Sequence, residues 1–276
     1  MGAAAEKNGC GLPDPTGPSL PLDAANPGCH FPAVTAPLPS LRVLYRDALL
    51  LAIDKPAGAL SVPGRGEAEG APALSIQVRA LAAEALPVHR LDRGTSGVLV
   101  FALGREAHRA LNQSFESRKT EKRYLALVRG DLKSKVECDL PLAPTRRGGM
   151  RVARNSEKGA MPSLTALEPL ERFGLFTLVL ARPFTGRTHQ IRVHLAALGH
   201  PLLVDERYGD AQAVRAGELD PRAGAPGAEV LARTPLHASA LRLPHPSGKG
   251  FLSVEAPTPP DLTACLDLLR AARRAS

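Results

Sequence analysis

Six consecutive apolar residues, VLVFAL at 98–103, are entered directly from HRLDRGTSG at 89–97. The run is far shorter than the ~18 apolar residues a membrane span needs, and it reads as a strand. A strand requires a sheet, and the surrounding segments supply one. LRVLY (41–45) and ALLLAIDKP (48–56) flank a turn at Arg46-Asp47 and read as a β-hairpin. KRYLALVRG (122–130) reads as a further strand, and residues 163–182 as a second hairpin turning at Phe173-Gly174. PLHASALRL and FLSVEAP are late strands. Helical spacing is confined to four segments. Residues 73–86 form one, and 105–118 a second, with Ala107, Leu111 and Phe115 at i, i+4, i+8. HQIRVHLAAL (189–198) is a short helix ended by Gly199 and Pro201. DLTACLDLLRAARR is terminal and amphipathic, with Leu262, Leu266 and Leu269 on one side. Residues 211–230 are Ala-, Gly- and Pro-rich and read as a loop. Strands dominate and βαβ alternation is absent, so the fold class expected is α+β.

The 276 residues suffice for one large domain or two small ones. With aromatics at 4% and no Trp, the core has to be built from Leu, Val, Ala and Ile. Residues 1–40 differ from the rest. They hold eight of the 26 prolines and a single aromatic, Phe31. Such a segment buries too little apolar surface to offset its ordering entropy and is expected to be disordered. Leu20, Leu22, Phe31 and Val34 give it the alternative of wrapping over the domain as an arm. The expected division is therefore an N-terminal extension, 1–40, and one catalytic-sized domain, 41–276.

Charge points to the partner. A net charge of +8 implies an anionic one, and nucleic acid is the commonest. The four cysteines lack C-x-x-C spacing, which indicates neither a zinc ribbon nor a disulfide framework and suits a reducing cytosol. The N-terminus has no apolar signal region, so a cytoplasmic protein is expected.

Several chemistries fail on spacing. His189 and His194 are five apart, with Arg192 between them, and do not make an H-E-x-x-H zinc helix. No Gly-x4-Gly-Lys-[Ser/Thr] loop is present, and GTSGV does not fit a G-x-S-x-G elbow. What remains is acid among bases. Asp92 sits between Arg90 and Arg93, and a second basic cluster, GRTHQIRVH, follows about a hundred residues later. Arginine favours the charged form of a neighbouring carboxylate, and a charged carboxylate is a nucleophile or base. A simple loop ion pair satisfies the same pattern. Tyr124 opens a strand just after Lys119, Lys122 and Arg123. It is either a half-buried strand tyrosine or an aromatic platform for a nucleobase with cations nearby for phosphates. Arg146, Arg147, Arg151, Arg154 and Lys158 in TRRGGMRVARNSEK make either a solvated loop or a phosphate-tracking arm.

Taken together and in order, four stretches resemble the RluA family of RNA pseudouridine synthases. They are DKPAGALSVPGR (54–65), HRLDRGTSG, KRYLALV and GRTHQIRVHLAALGHPLLVD (186–205). The likeness covers roughly residues 41–260. It implies a mixed, mainly antiparallel sheet with few flanking helices, and isomerisation of a uridine without metal or cofactor. It implies that Asp92 is the catalytic aspartate, that Tyr124 stacks on the target uracil and that Arg192 pairs with Asp92. Arg90 would enter the space the flipped uridine leaves. Arg187 would hold the motif loop or touch RNA, with Arg93 and His189 also facing RNA. The expected partner is a stem-loop of 23S ribosomal RNA or transfer RNA, bound by a monomer. The Pro-rich N-terminal segment lacks the core residues of the S4 domain that many relatives carry. A catalytically silent RNA-binding protein on the same fold is the competing expectation.

Overall fold

The computed structural model describes residues 41–64, 72–146, 148–209 and 213–275. The expectations for residues 1–40 and for Arg147 lie outside them. Strands β1 (Val43–Arg46) and β2 (Leu50–Lys55) form the first hairpin. Asp47 sets its turn by accepting the Leu49 and Leu50 amides, both at 2.8 Å. Helix α1 (Leu74–Gln77), β3 (Ala85–Pro87), β4 (Ser96–Leu103), α2 (Arg105–Glu116) and β5 (Glu121–Arg129) follow. Short β6 (Val136–Cys138), β7 (Leu142–Pro144) and β8 (Met150–Val152) precede the second long hairpin, β9 (Thr165–Arg172) and β10 (Phe176–Pro183). After α3 (Gln190–Ala197) come β11 (Val214–Arg215), α4 (Ala216–Leu219), β12 (Glu229–Leu231), β13 (Leu236–Pro244), β14 (Phe251–Glu255) and α5 (Pro260–Arg274).

One ten-stranded sheet runs β1-β2-β4-β13-β5-β10-β9-β6, with β14 on β13 and β3 on β4. Only the β4–β13 pairing is parallel, so the α+β class and the mixed, mainly antiparallel sheet are as expected. Alternation explains how β4 is buried on both faces. Val98, Val100 and Ala102 pack with Ala107 and Leu111 of α2, while Leu99, Phe101 and Leu103 pack with Leu74 and Val78 on the other side. The second half of the sheet is covered likewise. Ile191 and Leu195 of α3 lie on Val128, Val179 and Ala181, and Leu262, Leu266 and Leu269 of α5 on Leu127 and Leu178. Each Val, Leu, Ile or Phe among them, fully buried, contributes about 1.5–3 kcal/mol.

Two expectations need correction. The helix expected over 73–86 shrinks to one α turn and a short 3-10 turn, Val78–Ala80. Its last residues become β3 instead, because β13 pairs with β4 only at Ser96 and Gly97. The Phe101–Leu103 edge would otherwise keep unpaired backbone groups, and Ala85–Pro87 satisfies it. The loop expected over 211–230 holds a small ladder, β11–β12, and the turn α4. Val214, Leu219 and Leu231 anchor it in the α5 core, a sparse set of apolar residues that the Ala/Gly/Pro composition conceals.

Candidate active site

The Asp92 loop joins β3 to β4, and the first hairpin clamps its backbone. Lys55, at 0% exposure, directs its ammonium to three carbonyl oxygens: Pro56 at 3.0 Å, Arg93 at 3.1 Å and Thr95 at 2.7 Å. Burial pulls its pKa down to about 7, against the opposing pull of the Asp92 charge. The Gly58 amide donates to Arg93 O at 2.8 Å, and Ser61 Oγ exchanges hydrogen bonds with Leu91 at 2.8 and 3.0 Å. Gly97, with φ +109°, closes the loop. A side chain there would land on the Ala238 backbone of the parallel neighbour β13.

Asp92 meets α3 at the centre of the cleft. Arg192 Nη1 is 3.4 Å from Asp92 Oδ2, and His189 Nε2 is 3.7 Å from the same oxygen. The expected pairing of Asp92 with Arg192 is therefore present, but it is the weaker of two. Arg192 Nε and Nη2 grip both oxygens of Asp205 at 2.7 Å each. Asp205 is 1% exposed and also accepts the Arg207 and Tyr208 amides at 3.0 and 3.1 Å. Burial would raise its carboxyl, but the Arg192 contacts and these amides outweigh it and hold the pKa below the ordinary value. The fork of Arg192 is thus anchored by Asp205 and offers Nη1 to Asp92.

Tyr124 lies on β5 opposite Ala181 and Ala238, and burial raises its hydroxyl pKa. It lines a cavity of about 570 Å³ together with Asp92, Phe115, Lys122, Phe184 and Arg192. A second cavity, about 1190 Å³, is lined by Arg93, Arg146, Arg207 and Arg233. Arg90, Asp92, His189 and Arg192 line both.

The remaining expected RNA contacts divide. Arg90 is exposed and has no hydrogen-bond or ion-pair partner among the described residues, and Arg93 donates only to Gly58 O at 3.0 Å. Arg146 lines the second cavity, exposed and without a hydrogen-bond or ion-pair partner among the described residues. Arg187 lines the first cavity and donates to Pro162 O at 3.3 Å. Lys119 and Arg123 are exposed but line neither cavity. Lys122 is tied to Thr185 O at 3.0 Å, and burial takes its pKa down to about 8. Arg151 differs from these: its guanidinium is held by both oxygens of Glu157, at 2.8 and 2.7 Å. Sequence reasoning missed Lys55, Arg118, Asp205, Arg207 and Tyr208. Lys55 was discoverable as a charged residue ending the apolar strand LLAIDK, and Asp205 closes the arginine motif itself. His194 is bonded to Thr165 Oγ1 and Leu140 O, both at 3.0 Å, in the core. Among the described residues no cluster of three or more His, Cys, Asp or Glu is placed to hold a metal, and no helix is long and apolar enough to cross a membrane.

The fold is that of pseudouridine synthase catalytic domains. It superimposes on the human RNA pseudouridylate synthase domain containing 1 with a TM-score of 0.63 and 32% identity, covering 86% of this chain and 95% of that one. The human domain containing 4 shares the fold at a TM-score of 0.65 and 24% identity, covering 83% and 93%. The sequence profile of the RNA pseudouridylate synthases matches residues 49–197. Ribosomal large subunit pseudouridine synthase C of Salmonella typhi is 41% identical over 234 residues, 83% of this chain and 70% of that one. The Escherichia coli K12 protein of the same name is 41% identical over 237 residues, 84% and 70% of the two chains. The chain belongs to the RNA pseudouridylate synthase family, in its RluA branch, and is an isomerase acting on RNA.

Proposed function

We propose that this enzyme converts a uridine in a stem-loop of large-subunit ribosomal RNA to pseudouridine, with Asp92 as the catalytic carboxylate. One observation carries the assignment. Asp92 stands where the two cavities meet, in a loop whose Arg93 and Thr95 carbonyls are clamped by Lys55, and its Oδ2 is faced by Arg192 and His189. Support for the RNA comes from the relatives, whose names specify the large ribosomal subunit. Work on that substrate puts the enzyme in the cytoplasm.

The reaction breaks N1–C1′ and forms C5–C1′, and N1 gains a proton as C5 loses one. A uridine inside a stem cannot reach Asp92, so the base leaves its stack and enters the smaller cavity. Tyr124 forms the platform for the uracil there. Arg90, exposed on both cavities and without a partner among the described residues, fills the space left in the RNA. Asp92 acts in its charged form, on C1′, on the uracil ring or on a ribose proton. Each of these routes needs the carboxylate and none needs a metal. The free cations on the larger cavity hold the flanking phosphates.

The test pairs mapping with a variant. Total RNA from cells with and without this protein should differ at one or a few pseudouridines in large-subunit RNA, and a change in transfer RNA instead would move the substrate. Purified Asp92→Asn should bind a hairpin carrying that uridine within a few-fold of the parent and show no turnover. Measurable turnover by Asp92→Asn would remove Asp92 from the chemistry.

A further inference from the structure

Tyr208 belongs to none of the four motifs, yet it is bonded to their centre. Its Oη accepts the Met150 amide at 3.0 Å and lies 2.8 Å from His189 Nδ1. A phenol has a single proton. With Met150 N–H directed at a lone pair, that proton has one acceptor among the described residues, His189 Nδ1. A neutral imidazole that accepts at Nδ1 carries its hydrogen on Nε2. Nε2 is the nitrogen that faces Asp92 Oδ2 at 3.7 Å.

The rest of the environment holds this arrangement in place. The two rings meet edge to face, 5.6 Å apart at 79°, and the Arg192 guanidinium lies 5.0 Å over the Tyr208 ring. His189 has φ +53°, a left-handed conformation that a side-chain-bearing residue keeps only when its surroundings dictate it. The charged and titratable groups facing His189 are Asp92, Arg192, Arg207, Asp205 and Tyr208. Burial lowers its pKa most. The Arg192 and Arg207 charges act the same way, and together they outweigh Asp92 and Asp205, so the ring is neutral at neutral pH.

We propose that Tyr208 is a positioning residue that acts through His189: its hydroxyl fixes the tautomer in which His189 presents Nε2–H, a neutral donor, to Asp92 Oδ2. Asp92 Oδ1, which has no hydrogen-bond partner among the described residues, is then left for the substrate. In the other tautomer a nitrogen lone pair would face the carboxylate. In a protonated His189 a full ion pair would draw Asp92 off the reacting atoms. At 3.7 Å the contact is too long for a hydrogen bond, and it closes when substrate fills the cleft. The inference rests on Asp92 being the reacting carboxylate.

Two measurements test it. Nitrogen-15 NMR of the His189 ring in the wild-type enzyme at neutral pH should show a bare Nδ1 and a protonated Nε2. A protonated Nδ1 would overturn the proposal without any variant being made. Tyr208→Phe keeps the ring under Arg192 and deletes the hydroxyl. It should lower kcat about tenfold, the scale of one lost hydrogen bond, with KM within about twofold. Freed from the Tyr208 donor, His189 should take up a proton more readily, so the acid limb of kcat should move to higher pH. A tyrosine that only packs would change melting temperature alone, so an unmoved kcat and pH profile would reject the idea. Asp92→Asn separates the two readings. If that variant turns over, the catalytic assignment fails. If it is dead while His189 has the opposite tautomer, the assignment stands and only the role of Tyr208 falls.

Discussion

The floor of the cleft and its rim treat charge in opposite ways. On the floor, Arg192 has both oxygens of Asp205 at 2.7 Å, Lys55 has three carbonyl oxygens and Lys122 has Thr185 O at 3.0 Å. On the rim, Arg90, Arg118 and Arg146 are exposed, and their guanidinium groups have no partner among the described residues. Removing a charge from water is costly unless protein groups replace the hydration, so floor charges are bonded and thereby define geometry. Rim cations keep their hydration and rotamer freedom until a phosphate arrives. Under the proposed function, the difference should separate residues that set the rate from residues that set RNA affinity.

The largest effect is expected at Arg192. Arg192→Met would leave Asp205, 1% exposed, without its partner. Such orphaned buried charges cost about 3–5 kcal/mol, so a large fall in the urea midpoint and loss of turnover should appear together. Intact stability would show that Asp205 is held by its backbone amides alone. Acid probes the same pair. The folded pKa of Asp205 lies below its unfolded value, so its contribution is full above about pH 4 and is lost as pH falls through the folded pKa. Arg192→Met should lose much of that acid dependence.

Lys55→Met comes next. It leaves the Pro56 and Thr95 carbonyls without the Lys55 donor and Arg93 O with the Gly58 amide alone, at about 1–3 kcal/mol for an unsatisfied buried group. Thermal melting and single-turnover rates should both drop, while RNA affinity stays within a few-fold. A loss of affinity with the rate intact would place Lys55 with the rim instead.

At the rim the effect is on binding alone. Arg90→Ala combined with Arg146→Ala should raise KM far more than it lowers kcat. Each phosphate contact removed should flatten the log–log salt dependence by about 0.7–0.9. The smallest effect is expected at Arg151. Glu157 already occupies its guanidinium, so Arg151→Ala should leave the salt slope where it was. A slope that drops as much as for Arg146 would mean that the Glu157 pair opens when RNA binds.

Sequence alone is enough for the long strands, the α+β class and the placement of Asp92 just before β4. Those signals are local: an uninterrupted apolar run, helical spacing over 105–118 and turn residues at Gly174 and Gly199. Asp92, Tyr124 and Arg192 were legible as well, because their motifs are contiguous and ordered along the chain. Which groups become partners depends on segments that only folding brings together. Arg192 could have given its fork to Asp92, a hundred residues earlier, but the turn after α3 brings Asp205 and its supporting amides to the nearer side. Lys55 ends an apolar strand, but its carbonyl partners come from the Asp92 loop that β4 brings over it. The segment 85–87 has apolar residues that suit helix or strand, and the unpaired edge of β4 chooses strand. Tyr208 meets His189 and Met150 only because α3 packs against β8. Periodicity records which face of an element is buried. The hydrogen-bond partners of a buried charge depend on several chain segments converging, and no single stretch of sequence encodes that convergence.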